Sequence, residues 1–396
     1  MLDINNIRNV CVVGAGVMGQ GIAQVSLMAD YYVTLIDLNE KIVENGLIKI
    51  HEGLEKVKIK GNMGEGILVS DLMKKCTKSI DLPSAVKDAD FVFEAVVEKM
   101  EIKKKVCNVV MQHSPPHCVF ASNTSTFRIT DIAEDSKRPD KVIGMHFFPP
   151  VAIQCCVEVM KGEKTSDEVL DMCVALGEKL PCVKRKRLSV RIEKESPGFI
   201  ANRLLIPTTI YTNWIFDKAY EMNIPWEQID ADAGAGPLVS MGPCQLTDYL
   251  GIDVSYNSMK SYETYISSDF APGKVLTKLV AEGNLGKKTG KGFYDWTKGT
   301  PKINLSKKAG LFDPEINLAI ELNEGCKLLE EGIIAGYKII DDVILKGTNM
   351  PGPFSVGVHN FNKWSILLKD IAERTGKNYL KPCELMKSGD FVKMKK

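Results

Sequence analysis

A short β-branched run at residues 9–13 (NVCVV) stops at a glycine-rich turn, GAGVMG, and apolar residues then recur at helical spacing over 21–29. This change of period predicts strand, turn, helix. A second apolar run, 32–37, ends on Asp37 and is followed by a helical pattern over 40–54, which completes a βαβ unit. Further strands are predicted at 91–96, 119–122, 142–146, 157–160 and 188–192, with helical stretches such as 101–112 and 166–180 between them. Strands that alternate with helices specify a doubly wound, mainly parallel sheet.

The texture changes after Glu195-Ser196-Pro197, where helical patterns take over, broken by loops at 233–237 and 283–292. A domain boundary is therefore expected near Lys194, with an all-α remainder. Shifting the chain by 110 positions lays Asn213, Glu221, Ile224, Ile229, Asp232, Gly242 and Pro243 on Asn323, Glu331, Ile334, Ile339, Asp342, Gly352 and Pro353. Matches at a fixed offset mark a repeated unit. The expected scheme is an α/β, doubly wound N-terminal domain at 1–194, a helical domain at 195–297, and a degenerate second copy of it at 309–396.

Composition narrows the function classes. The 396 residues suffice for two or three domains, and 44% hydrophobic with 26% charged residues is ordinary for a globular chain. Lys and Arg (51) nearly balance Asp and Glu (50), so no basic field points to nucleic acid, and an anionic ligand must be held by local groups. Eleven cysteines, an odd number with no C-x-x-C, predict free thiols in a reducing compartment rather than a zinc or disulfide framework. The opening MLDINNIRNV lacks the pattern of a signal peptide, and no apolar run approaches a membrane span, so the cytoplasm is expected.

Gly14, Gly16 and Gly19 have the spacing of a dinucleotide-binding turn, with Val17 and Met18 opening the helix behind it. The glycines allow a tight turn, close approach of a pyrophosphate and close helix–strand packing, while the helix N-terminus is partially positive. Asp37 can accept from both ribose hydroxyls but would repel a 2′-phosphate, and no Arg or Lys follows within 38–40. The expected cofactor is NAD. His146 closes a strand in GMHFFPP and Glu158 lies on the next strand in VEVM, where ligands bind in this fold. An imidazole there suits removal of an alcohol proton as hydride leaves, with the carboxylate fixing its tautomer. A structural strand-end histidine and a solvated glutamate fit the two residues taken alone.

GAGVMGQGIA, FEAVVEKMEIKKKV, ASNTST, GMHFFPP with VEV, SPGFIANRL and GKKTGKGFYDW, in this order over residues 8–296, resemble the L-3-hydroxyacyl-CoA dehydrogenase family. The resemblance implies a Rossmann domain that binds NAD, a helical C-terminal domain, and interconversion of a 3-hydroxyacyl-CoA with its 3-oxoacyl-CoA. The stretch from about 310 to 388 is similar to the second C-terminal copy of longer members. Position by position, His146 matches the general base and Glu158 its partner, and Ser125 matches the serine near the substrate hydroxyl. Asn202 matches the asparagine that completes the substrate pocket, and Glu98 and Lys103 match residues around the nicotinamide ribose. From the residues themselves, Ser125 and Asn202 also suit capping positions. Lys56, with Lys58 and Lys60, is a candidate for CoA phosphates or a plain solvated face.

Two features depart from the family. Pro149 replaces the asparagine of the usual HFFNP and removes both an amide side chain and a main-chain donor, which bears on substrate range. The stretch KRKR at 184–187 lengthens the segment before SPGF and reads as a solvated hairpin or a CoA phosphate contact. Two rival functions stand beside the dehydrogenase: a non-enzymatic, crystallin-like protein on the same fold, and a dehydrogenase of a 3-hydroxy acid without CoA. The expected partner is an acyl-CoA, with no nucleic acid and no membrane. The second copy predicts a monomer with an internal pseudo-dimer, or a homodimer through another surface.

Overall fold

A computed structural model describes residues 3–234 and 241–395, which form two compact units. The first runs through Phe199 and also takes in Asp342–Asn349; the second holds Ile200–Asp341 and the chain after Asn349. Apart from Asp342–Asn349, the segments expected as two helical copies lie in one unit. The loop expected at 233–237 lies partly outside the described residues.

The first unit is built on eight strands: β1 (Asn9–Val13), β2 (Tyr32–Ile36), β3 (Cys76–Ser79), β4 (Phe91–Glu94), β5 (Val119–Ser122), β6 (Val142–Phe147), β7 (Cys156–Lys161) and β8 (Leu188–Ile192). Their order is β3-β2-β1-β4-β5-β6-β7-β8. The strands pair in parallel except β6 with β7. Every residue of β4, β5 and β6 is buried, because strands covered by helices on both faces need unbroken apolar runs rather than alternation. Strand β3 was not expected from the pattern. Its sequence CTKS is polar and lies at the sheet edge, where only one side is paired.

Two expectations are corrected here. Cys155 and Cys182 form a disulfide with Cα atoms 5.6 Å apart, whereas all thiols were expected to be free. No C-x-x-C spacing announces a pair that the fold brings together from 27 residues apart. In KRKR, Lys184 to Lys186 are exposed but Arg187 is 2% exposed. Its guanidinium donates to the carbonyls of Leu180, Gln154, Cys156, Val151 and Pro181, so Arg187 belongs to neither a solvated hairpin nor a phosphate site.

Helices of the second unit correspond at the offset seen in the sequence. The helices Thr208–Glu221, Pro243–Leu250, Ile252–Tyr265 and Lys274–Ala281 recur as Pro314–Glu330, Pro353–Gly357, Phe361–Thr375 and Glu384–Ser388. Polar details recur as well. Asn213 Oδ1 accepts from the Gly273 amide at 3.3 Å, and Asn323 Oδ1 accepts from the Cys383 amide at 2.8 Å. Asp230 accepts from the Cys244 amide beside Gly242, and Asp341 accepts from the Phe354 amide beside Gly352. The copies meet through Arg203, which donates to Glu324 and Glu331, and through Asp269, which accepts from the Tyr379 amide. In the first copy Asp248 accepts from the Phe293 and Tyr294 amides and the Trp296 indole, so GKKTGKGFYDW closes on a packing loop.

Candidate active site

Strand order reverses between β1 and β4, which opens a crevice at their carboxyl ends. Gly14 (φ 107°) turns the chain there, and a Cβ on it would lie 2.4 Å from the Ala95 carbonyl oxygen. A Cβ on Gly19 would strike the Gly14 carbonyl oxygen, whereas one on Gly16 would meet nothing within 4 Å. The first and third glycines serve packing, and the second leaves open space for a ligand. Gly16 caps the helix Val17–Met28 without a side-chain bond, so the first-turn amides of Val17, Met18 and Gly19 begin a positive helix end. Asp37 Oδ2 accepts from the Ala15 amide and Oδ1 from the Leu38 amide, both at 2.7 Å. These bonds fix the carboxylate beside the glycine turn, with acceptor capacity left for ribose hydroxyls. The residues fit a dinucleotide.

At the ends of β4 and β5, Lys103 is buried between Glu94 (2.8 Å) and Glu98 (3.1 Å). Burial alone would lower the Lys103 pKa, but the two carboxylates raise it above its ordinary value. Burial alone would raise the Glu98 pKa. Lys103 and the hydrogen bonds from Thr124 and the Ser125 amide instead hold it low, so both groups are charged at neutral pH. The Ser125 hydroxyl is 3.4 Å from Glu98 Oε1. Glu98, Lys103 and Ser125 therefore form one network.

His146 and Glu158 are register partners across β6 and β7. The imidazole Nδ1 lies 2.7 Å from Glu158 Oε2; the carboxylate side chain is fully buried and that of the histidine 9% exposed. A tautomer that donates from Nδ1 to this carboxylate leaves Nε2 as the acceptor facing away from it. Two rings hold the imidazole: Phe148 at 4.8 Å and Phe199 at 5.3 Å between centroids. Phe199 belongs to SPGF, where left-handed backbone at Gly198 (φ 86°) and Phe199 (φ 58°) swings its ring onto the histidine. Gly144 makes room for that ring, since a Cβ there would lie 2.8 Å from Phe199 Cζ.

Asn202 lies on the short helix Ala201–Leu205 of the second unit, and Lys56 is exposed near the end of the helix Glu40–Ile59. Sequence reasoning overlooked Asn123. Its side-chain oxygen accepts from the Phe147 amide at 2.9 Å and ties β5 to the residue after His146. Its place in ASNTST was the available signal. Arg187 and Phe199 were also missed, although both stand in stretches singled out for other reasons.

Residues 9–191 match the family model described as 3-hydroxyacyl-CoA dehydrogenase, NAD binding domain, and residues 198–296 match the one described as its C-terminal domain. The chain belongs to the 3-hydroxyacyl-CoA dehydrogenase family. It is an NAD-dependent dehydrogenase of that family. The probable 3-hydroxybutyryl-CoA dehydrogenase of Bacillus subtilis is 36% identical over 295 residues, 74% of this chain and 99% of that one. The human mitochondrial hydroxyacyl-coenzyme A dehydrogenase is 34% identical over 73% of this chain and 91% of its own. The crystal structure of (S)-3-hydroxybutyryl-CoA dehydrogenase from Ralstonia eutropha is 32% identical, with a TM-score of 0.64 over 73% of this chain and 99% of that one. A 3-hydroxybutyryl-CoA dehydrogenase structure from Escherichia coli, 24% identical, shares the fold over 98% of this chain and 99% of its own, with a TM-score of 0.81. Among the described residues no helix is long and apolar enough to cross a membrane.

Proposed function

We propose that the protein interconverts a (3S)-3-hydroxyacyl-CoA and its 3-oxoacyl-CoA, with His146 as the acid–base group. The observation that carries this is the buried 2.7 Å contact between His146 Nδ1 and Glu158. In the oxidative direction His146 Nε2 takes the hydroxyl proton while hydride leaves C3. NAD, when bound, supplies the hydride acceptor. Glu158 stabilises the imidazolium that results, and it sits too deep for water to compete for that role. Ser125 holds the substrate hydroxyl, Glu98 and Lys103 border the nicotinamide ribose, and Lys56 contacts the CoA phosphates.

Two observations support CoA thioesters: the similar proteins are named as 3-hydroxybutyryl-CoA and hydroxyacyl-coenzyme A dehydrogenases, and the chain matches both family models. The test is NADH formation from (3S)-3-hydroxybutyryl-CoA and longer homologues, set against free 3-hydroxybutyrate. Turnover of the free acid alone would overturn the CoA reading, and no turnover of either would favour a binding protein. The Arg203–Glu324 contact between copies supports a monomer with an internal pseudo-dimer, which light scattering checks.

A further inference from the structure

Gly347 lies in the last turn of the helix Tyr337–Thr348, within Asp342–Asn349, the stretch that belongs to the first unit. Neither family match reaches it, since the C-terminal one ends at residue 296. A Cβ built on Gly347 would lie 2.9 Å from Cε1 of Phe148 and 3.0 Å from its Cδ1 and Cζ. That is closer than real contacts allow, so the backbone of this helix approaches the ring as only glycine permits. Phe148 is 6% exposed and packs edge-on against His146. The neighbouring carbonyl, that of Lys346, accepts from the Cys155 amide at 3.1 Å. One helical turn thus holds both ends of the 148–155 connection, which joins the strand of His146 to the strand of Glu158. Arg187 binds the Val151 and Gln154 carbonyls of the same connection, and the Cys155–Cys182 disulfide anchors its end. A ring held among so many fixed neighbours has little room to move.

We propose that Gly347 is a positioning residue for the His146–Glu158 pair, acting through Phe148, so that a segment of the degenerate copy supports the chemistry. The proposal rests on the reading of His146 as the base. Glycine inside a helix ordinarily costs stability, and alanine is ordinarily an improvement there. Here an added methyl group must shift Phe148, the ring packed edge-on against the imidazole, and so disturb the line of the imidazole with the substrate. A misplacement of about 1 Å in a reacting group can cost about 100-fold in rate.

The test is a cycle of Gly347→Ala, Phe148→Leu and the double variant, with His146→Ala as reference, measuring kcat, KM for the acyl-CoA, NAD affinity and thermal unfolding. Gly347→Ala should lower kcat at least about tenfold, with NAD affinity unchanged and KM altered less than kcat. In the double variant the smaller, flexible leucine should yield, so that kcat returns to the level of Phe148→Leu alone. A Gly347→Ala enzyme with unchanged kcat overturns the proposal, as does a double variant whose kcat falls below that of Phe148→Leu alone. If Gly347→Ala does not fold, Phe148→Leu decides: a folded variant with wild-type kcat shows that the ring positions nothing. An active His146→Ala enzyme would instead sink the underlying reading, whereas an inactive one beside a normal Gly347→Ala enzyme sinks only this inference.

Discussion

Glu158 stands directly opposite His146 in the antiparallel pairing of β6 with β7, so the sheet register itself delivers the carboxylate to the imidazole. A slip of one residue would turn one of the two side chains to the other face. The pair is as secure as the ladder around it.

His146→Ala should lower kcat by about 10² to 10⁴-fold and leave NAD affinity nearly unchanged, the pattern for loss of a positioned acid–base group. Glu158→Gln should also lose activity, because an amide does not stabilise a neighbouring imidazolium as a carboxylate does. Steady-state kinetics with calorimetric NAD titration read both. Full kcat in either variant contradicts the assignment.

Asp37→Ala should weaken NAD by roughly 10- to 100-fold or more, the loss of its charge-assisted hydrogen bonds to the ribose, and narrow the preference over NADP. The two bonds that Asp37 makes to the Ala15 and Leu38 amides go with it, so the glycine turn should loosen too. Titration of both cofactors checks this, and a wild-type preference for NADP would reverse the reading of Asp37.

Arg187→Met should cost about 3 kcal/mol or more of stability, because five carbonyls lose their donor in a buried place. Burial lowers the Arg187 pKa to about 10, so the guanidinium is still charged at neutral pH and its bonds are charge-assisted. Arg187→Lys should recover only part of the loss, since an ammonium cannot span that set of acceptors. Denaturant unfolding measures both, and a methionine variant of wild-type stability would show that the carbonyls find other donors.

Glu321, on the helix Pro314–Glu330, is 5% exposed, and burial raises its carboxyl pKa to about 8. The folded value exceeds the unfolded one, so the folded state holds a proton that the unfolded chain releases as pH rises from about 4.5 to about 8. Stability therefore falls across that window. Glu321→Gln should match wild type near pH 5 and exceed it by up to about 4 kcal/mol above pH 8. Thermal unfolding at several pH values follows the difference, and a constant offset would mean that Glu321 does not titrate there.

The N-terminal βαβ unit was legible because its signals are local: β-branched runs, three glycines and one carboxylate within thirty residues. The expected repeat rests on positions such as Asn213 and Asn323, whose side chains make corresponding bonds to the Gly273 and Cys383 amides. Strand β3 was not legible, since at a sheet edge CTKS needs little apolar character. Arg187 was misread because its four-residue stretch carries charge on every side chain, and only the fold selects which one turns inward. The Cys155–Cys182 pairing and the approach of Gly347 to Phe148 depend on contacts between distant segments, which no local pattern records.

The grouping of Asp342–Asn349 with the first unit bears on how the chain is made. Domains of a growing polypeptide generally fold in order of emergence, N-terminal first. Here the sheet can form early, but the turn of helix that packs on Phe148 leaves the ribosome only after nearly all of the second unit has been translated. Until then the connection after His146 lacks that support, and the surroundings of its imidazole are completed by a segment translated long after the strands they rest on.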